Sequence, residues 1–514
     1  MSETPENGVA SHRDMPDRVV MILLDSLNRH MLGAYGGSEF DTPNLDRFAR
    51  SAVRFDNHYT GSLPCMPARH DLLCGALDFL WKPWGSIELW EEPLTVPLRR
   101  AGVTTQLISD HPHLFEIGGE NYHCDFTAWD YQRGHESDPW KTRRDPSWIG
   151  TPVFSRGEDM PYELSRGYFQ DETDFPGPRT MAAAARWIDE VAPHHERFLL
   201  FVDEFDPHEP FDTPEPYASM YDDSWSDAHL IWPPYTAAGF AGGILTPRQA
   251  HQIRACYGAK LTMIDQWFGR ILDALETQQL AHNTAVIVCT DHGHYLGEKD
   301  AWGKPAVPVY ETLGHTPLMI SWPGSREQAP IPALTTNVDI SATLLDIFGV
   351  SPTHATHGYS LVPLLDGKQD SIRDLALSGV WAREVHVLDG DHKYARAPVA
   401  GNAPLSIWSN RWSTMPVHRF PDLKLPRPDH RATLDRMPGS DIPVIRQPFG
   451  AEDNRPFWAL GRFTGDRLYD LKEDPNEERN LENSPLKHEM EEKLRSALID
   501  VEAPAEQLQR LGLS

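Results

Sequence analysis

The sequence predicts an α/β protein: a large, mostly parallel sheet flanked by helices, followed by a smaller C-terminal α+β subdomain on an antiparallel sheet. Three observations predict it. Four short apolar runs, at 19–24, 105–108, 198–202 and 285–288, each end in polar residues suited to chemistry. Helical patterns with apolar spacings of three or four lie between them. Near residue 375 this alternation stops.

Continuous apolar runs of this length suit parallel strands covered on both faces. The first runs into Asp25, the second into Asp110-His111-Pro112-His113, the third into Asp203 and then His208, and the fourth into Asp291-His292. Ligands of open α/β sheets bind beyond the carboxyl ends of the strands, so these four clusters are expected to converge on one site. Between the runs, Thr42-Pro43 reads as N-cap and first residue of a helix carrying Leu45, Phe48, Ala49 and Ala52 on one face. Thr246-Pro247 opens a longer helix with Ile253, Tyr257, Leu261, Ile264, Phe268, Ile271 and Leu275 in register. Residues 339–348 form another, with Gly349 as its C-terminal cap.

These patterns divide the chain into a polar tail over 1–17, a catalytic α/β domain over 18–375 and a subdomain over 376–514. In the last, 381–394 and 467–471 read as short antiparallel strands and 486–499 as a helix. The stretch 397–456, dense in proline and arginine, reads as a long ordered loop or insert. With the weakly periodic segment 132–175 it is a candidate wall for a substrate cleft.

Composition excludes several classes. The 514 residues carry 47 basic and 75 acidic side chains, a formal charge of −28, the wrong sign for a general nucleic-acid binder. No apolar run reaches membrane-span length, and the polar N-terminus has no signal-peptide pattern, so a cytoplasmic location is expected. The five cysteines (65, 74, 124, 256, 289) are odd in number, scattered and without a Cys-x-x-Cys pair, which speaks against a disulfide framework or a thiolate zinc site. The sequence leaves the oligomeric state open, a homo-oligomer included.

Asp25, Asp291 and His292 offer hard oxygens and an imidazole from two strand ends, a suitable set for one divalent cation, Ca²⁺ first, Mn²⁺ or Mg²⁺ next. Taken singly, each aspartate could simply cap a turn. Cys65 taken alone is a small buried hydrophobe. Its context differs: Cys65-Met66-Pro67-Ala68-Arg69 resembles the Cys-x-Pro-x-Arg signature of the type I, formylglycine-dependent sulfatases of the alkaline phosphatase superfamily. The resemblance continues through Thr42-Pro43-Asn44-Leu45-Asp46, Asp291-His292-Gly293, Leu296-Gly297-Glu298 and Trp302-Gly303-Lys304. Asn337-Val338-Asp339-Ile340 and Leu468-Tyr469-Asp470-Leu471 extend it to about residue 481.

The resemblance implies a metal-dependent hydrolase of sulfate esters. A maturation enzyme would oxidise Cys65 to formylglycine, whose hydrated aldehyde is both nucleophile and metal ligand beside Asp25, Asp291 and His292. Arg69 would hold that side chain, Lys304 would stabilise charge on the ester oxygens, and His208, in Pro207-His208-Glu209-Pro210, would be the general acid. His113 matches a family histidine, and His111 stands where many members have a lysine, which makes it a candidate substrate contact whose charge varies with pH. One departure is clear: many members have two adjacent aspartates where this chain has Asp25-Ser26. Related phosphonate monoester hydrolases share it, so phosphonate monoesters or phosphodiesters are the alternative substrates. A phosphatase with an unmodified nucleophile and a non-catalytic binding protein are the remaining readings. His294 and His315 lie near the lysine block without an assigned role.

Overall fold

A computed structural model describes residues 15–145, 150–157, 160–323, 329–399, 401–413, 427–450, 453, 455, 459 and 465–514. Residues 1–14 of the predicted tail over 1–17 and the middle of the Pro-rich insert lie outside them.

The four apolar runs are four adjacent parallel strands at the centre of an eight-stranded mixed sheet. In chain order the strands are β1 (Arg18–Leu24), β2 (Val53–Tyr59), β3 (Thr104–Ser109), β4 (Ala128–Tyr131), β5 (Phe198–Glu204) and β6 (Thr284–Cys289). A small hairpin, β7 (Tyr295–Leu296) and β8 (Trp302–Gly303), precedes β9 (Leu318–Ser321) and β10 (Ile331–Thr336). The sheet order is β10-β2-β9-β6-β1-β5-β3-β4, and only β9 runs antiparallel to its neighbours.

Alternation explains why these strands are apolar throughout. Val20, Ile22, Leu200, Val202, Val286 and Val288 face one core, packed by the helices Pro176–Glu190 and Pro247–Thr277. Val19, Met21, Leu23, Leu199, Phe201 and Ile287 face a second core under the helices Cys65–Cys74 and Asn337–Ile347. Side chains of period two are therefore buried on both faces. The register then aligns the strand ends: Leu24 pairs with Glu204, Leu23 with Cys289, and Ser109 with Asp203. Asp25, Asp110, Asp203 and Asp291 thus stand along one edge.

The helix starts follow the sequence with one difference. Thr246 caps Pro247–Thr277 through a capping box with Gln249. Thr42 precedes the helix Pro43–Ser51 but makes no side-chain cap bond; Pro43 and the Asp265 carboxylate, which accepts the N–H groups of Asn44 and Leu45, set the start.

At the C-terminal end, β11 (Ala376–Gly379), β12 (Val385–Leu388), β13 (His392–Arg396) and a last strand, Arg467–Asp470, form an antiparallel sheet. Its core takes Met490, Leu494 and Leu498 from the helix Leu486–Asp500, and Leu77, Phe79 and Leu80 from the turn after Cys74. Of the two expectations for 397–456, a long loop or an insert, the loop needs correction. Its described residues include a three-stranded antiparallel sheet, Ser406–Ser409, Thr433–Arg436 and Pro443–Pro448. No helix among the described residues is long and apolar enough to cross a membrane.

Candidate active site

Cys65 begins a helix, Cys65–Cys74, whose ten residues are all buried. Its Sγ lies 3.2 Å from His292 Nε2. One ligand atom from each of Asp25, Cys65, Asp291 and His292 falls within 4.8 Å of the others, and all four residues are buried. His292 Nδ1 donates to the carbonyl of Gly293 at 2.8 Å, so its Nε2 lone pair faces the cluster. Burial lowers the His292 pKa and keeps the ring neutral, the form that binds metal. Burial alone would raise the Asp25 carboxyl, but Arg69, His208 and Lys304 hold it well below the usual carboxylate range. Two carboxylate residues, a neutral imidazole and the Cys65 side chain therefore fit a divalent cation.

Arg69 is one helical turn from Cys65. It is wholly buried and forks onto Asp203, with Nε and Nη2 at 2.8 and 2.7 Å from its two oxygens. It also stands 2.9 Å from both Asp25 and Asp291 and donates to the Cys65 carbonyl at 3.2 Å. An exposed salt bridge is thus excluded for Arg69, and Asp203 joins the site as its principal counter-ion.

Lys304 approaches from the opposite side, carried by the β7–β8 hairpin. Gly303 has φ +72, and a Cβ there would lie 2.4 Å from the Tyr235 ring, so this turn requires glycine. Lys304 Nζ is 3.8 Å from Cys65 Sγ, 3.3 Å from Ser26 Oγ and 2.5 Å from His208 Nε2. An ammonium only donates, so His208 Nε2 accepts and its Nδ1 carries the proton. That Nδ1 faces the Glu209 carbonyl at 2.6 Å and the Glu209 carboxylate at 3.4 Å. Burial would push the Glu209 carboxyl up, but His208, Lys304 and His294 carry it well below its ordinary value.

The two histidines after β3 diverge. His111 is buried with Nε2 3.5 Å from Asp25 Oδ2, and neither ring nitrogen has a hydrogen-bond partner among the described residues. Burial, then the Arg69 charge, depresses its pKa well below the ordinary histidine value. His113 turns to two acids instead: Nδ1 contacts Glu116, and Nε2 lies 3.3 Å from Glu136. Despite burial, these carboxylates lift its pKa to about 9. A cavity of about 1160 Å³ opens beside it, lined by Pro112, Leu114, Phe115, Trp129, Tyr131 and Met160 among others. Part of the expected wall over 132–175 borders it. The 397–456 segment reaches its rim, where the Ser413 hydroxyl donates to the Glu120 carboxylate at 2.7 Å.

The sequence assigns no role to Ser26, Asp203, Glu209 or Tyr235, although it places Ser26 and Asp203 at strand ends expected at the site. Asp203 and Glu209 adjoin recognised motifs, which was a usable signal. Ser26 takes φ +60 and donates its N–H to Asp291 Oδ1 at 3.0 Å and its hydroxyl to Asp25 Oδ1 at 2.7 Å. Tyr235 donates its hydroxyl to the Glu209 carboxylate. His294 is buried beside Glu209, its Nδ1 3.9 Å from Oε2. His315 lies apart, paired with Glu311 at 2.9 Å and stacked on Tyr59.

Comparison with known proteins gives a family and a fold. The family model described as Sulfatase matches residues 17–350. A choline-sulfatase from Rhizobium meliloti is 26% identical over 411 residues, covering 73% of this chain and 77% of the relative. An arylsulfatase from Clostridium perfringens is 24% identical over 393 residues, 70% of this chain and 80% of its own. Among solved structures, a phosphonate monoester hydrolase from Silicibacter pomeroyi superposes with a TM-score of 0.65 at 18% identity, covering 96% of both chains, a likeness of fold.

Proposed function

The chain belongs to the sulfatase family, and from that premise we propose that it is a metal-dependent hydrolase of sulfate esters whose nucleophile is a formylglycine made from Cys65. The observation that carries this reading is the position of Cys65 Sγ, between His292 Nε2 at 3.2 Å and Lys304 Nζ at 3.8 Å. Burial, with Asp25 adding to it, pushes the Cys65 thiol well above its ordinary value. A protonated thiol is a poor nucleophile, so oxidation of this side chain supplies what the unmodified residue lacks.

Asp25, Asp291 and His292 would hold the divalent cation, which when bound activates the nucleophile and neutralises sulfate oxygens. Arg69 fixes both aspartates and the backbone of Cys65, so the ligands are set before substrate arrives. Lys304 and the buried, neutral His111 flank the place where the sulfuryl group must sit. Lys304 adds a fixed positive charge there, effective where water is excluded. The proton held between Lys304 and His208 is the one assigned to the departing ester oxygen, with Glu209 stabilising His208 as it changes charge. His113, facing Glu116 and Glu136, acts one layer out, beside the cavity that Glu116 lines.

Intact-protein mass spectrometry of material made with a maturation enzyme, coupled to kcat/KM for aryl sulfates, phosphonate monoesters and phosphodiesters, tests the reading. Conversion of Cys65 with sulfate preferred is expected. Full activity with an intact thiol would remove formylglycine from the mechanism, and a clear preference for phosphorus would sink the sulfatase assignment. That second outcome is favoured by one residue, Ser26. Its hydroxyl stands where many family members have a second carboxylate, a replacement that the resemblance assigns also to phosphonate monoester hydrolases.

A further inference from the structure

The helix that begins at Cys65 carries a second cluster at its other end. His70 and Cys74 are four residues apart and so share a face. Glu91 reaches them from the following segment. One ligand atom from each of the three lies within 4.8 Å of the others, and all three residues are buried. His70 Nε2 is 2.8 Å from Glu91 Oε1 and 3.8 Å from Asp78 Oδ1. Asp78 is 3% exposed, and its Oδ2 has no hydrogen-bond partner among the described residues. A cavity of about 30 Å³ is lined by His70, Asp78 and Glu91, with His357, Met437 and Val501 closing it. That is space for about one water-sized particle.

We propose that His70, Cys74 and Glu91, with Asp78 as fourth donor, form a structural site for a single Zn²⁺-class cation, separate from the candidate catalytic centre. The donor set decides the class. A thiolate and an imidazole with one or two carboxylate oxygens suit borderline-soft, four-coordinate Zn²⁺ and do not suit Ca²⁺ or Mg²⁺.

Lys82 is the obvious objection, with Nζ 3.5, 3.7 and 3.8 Å from Asp78, Glu88 and Glu91. At the candidate catalytic centre, however, Arg69 stands 2.9 Å from two of the residues that fit a metal. A fixed cation beside carboxylates is therefore part of this protein's pattern. The charges also balance. Acidic neighbours lift the His70 pKa well above its ordinary value against the effect of burial, and burial raises the Cys74 thiol. Binding of M²⁺ displaces the His70 Nε2 proton and the Cys74 S–H proton. Two protons leave, one dication enters, and the net charge of the cluster is unchanged. The cation would tie the end of the Cys65 helix to the 78–91 segment, where Leu77, Phe79 and Leu80 enter the C-terminal core.

The test uses Cys65→Ala protein, stripped with chelator and titrated with Co²⁺. A thiolate-to-cobalt charge-transfer band is expected, with loss of that band and of one bound cobalt per chain when Cys74→Ser is added. Absence of the band in Cys65→Ala, or its persistence without Cys74, overturns the site. Should the double variant not fold, anomalous scattering at the zinc edge from crystals of the zinc-loaded full chain decides. A peak between His70, Cys74 and Glu91 is expected, and its absence refutes the proposal. Neither readout depends on which ester is hydrolysed.

Discussion

Glu209 adjoins His208 in sequence and also faces the side of its ring that points away from Cys65. Its carboxylate receives the Tyr235 hydroxyl and lies 3.4 Å from His208 Nδ1 and 3.9 Å from His294 Nδ1. A fixed negative charge there stabilises His208 while its Nε2 holds the proton on the way from Lys304 to the ester oxygen. Glu209→Gln keeps an acceptor for Tyr235 and removes the charge. For esters of alcohols that leave poorly, kcat is expected to fall about 10- to 100-fold with KM little changed. Nitrophenyl sulfate, which needs no protonation to depart, should lose much less. An equal loss for both ester types would show that Glu209 serves only packing. Its role was not legible in the sequence although it adjoins the His208 motif, because Tyr235 and His294 come from separate segments. Cys65 and Arg69 were legible, because one helical turn holds the whole relationship. His111 and His113 show the limit most sharply. Two residues apart in one motif, they face different partners because the intervening Pro112 starts a tight turn, Pro112–Phe115.

That turn is stabilised by charge. Glu116 and Glu136 grip His113 from two sides and raise its pKa to about 9. The ordinary value is near 6.5, so folding favours the protonated ring. The resulting stability is fully present below about pH 6.5 and is lost as pH rises through about 9, at most about 3 kcal/mol. Urea unfolding should show a decline over that window which is smaller in His113→Gln. A decline of the same size in both proteins would detach it from this residue. Other elements differed in how far sequence revealed them. The strands β1, β3, β5 and β6 were legible because burial on both faces writes an uninterrupted apolar run. The sheet within the Pro-rich insert was not. Ser406–Ser409 pairs with Pro443–Pro448 across a long separation, and Thr433–Arg436, its locally paired partner strand, is wholly exposed and so shows no apolar alternation.

Over the whole molecule the formal charge is −28, while the site gathers Arg69 and Lys304. An anionic ester is repelled at long range and attracted only near the centre. Salt screens the distant repulsion more than the buried contacts. For aryl sulfates, kcat/KM is accordingly expected to rise about two-fold or more from low to physiological ionic strength. A fall would place the dominant field at the basic site instead. Four apolar runs that each end in polar residues made convergence legible in the sequence, whereas the order β6-β1-β5-β3 and the register at the strand ends were not. Which surface loops close over them was not, because that depends on contacts such as Ser413 with Glu120, far apart in sequence. Cys65 is 3% exposed, at the head of a helix whose every residue is buried. An oxidising enzyme cannot seat a side chain so enclosed without undoing the core around it. On the proposed reading, the decision that makes each copy active or inert would therefore belong to synthesis, taken while the chain is still open and made permanent by folding.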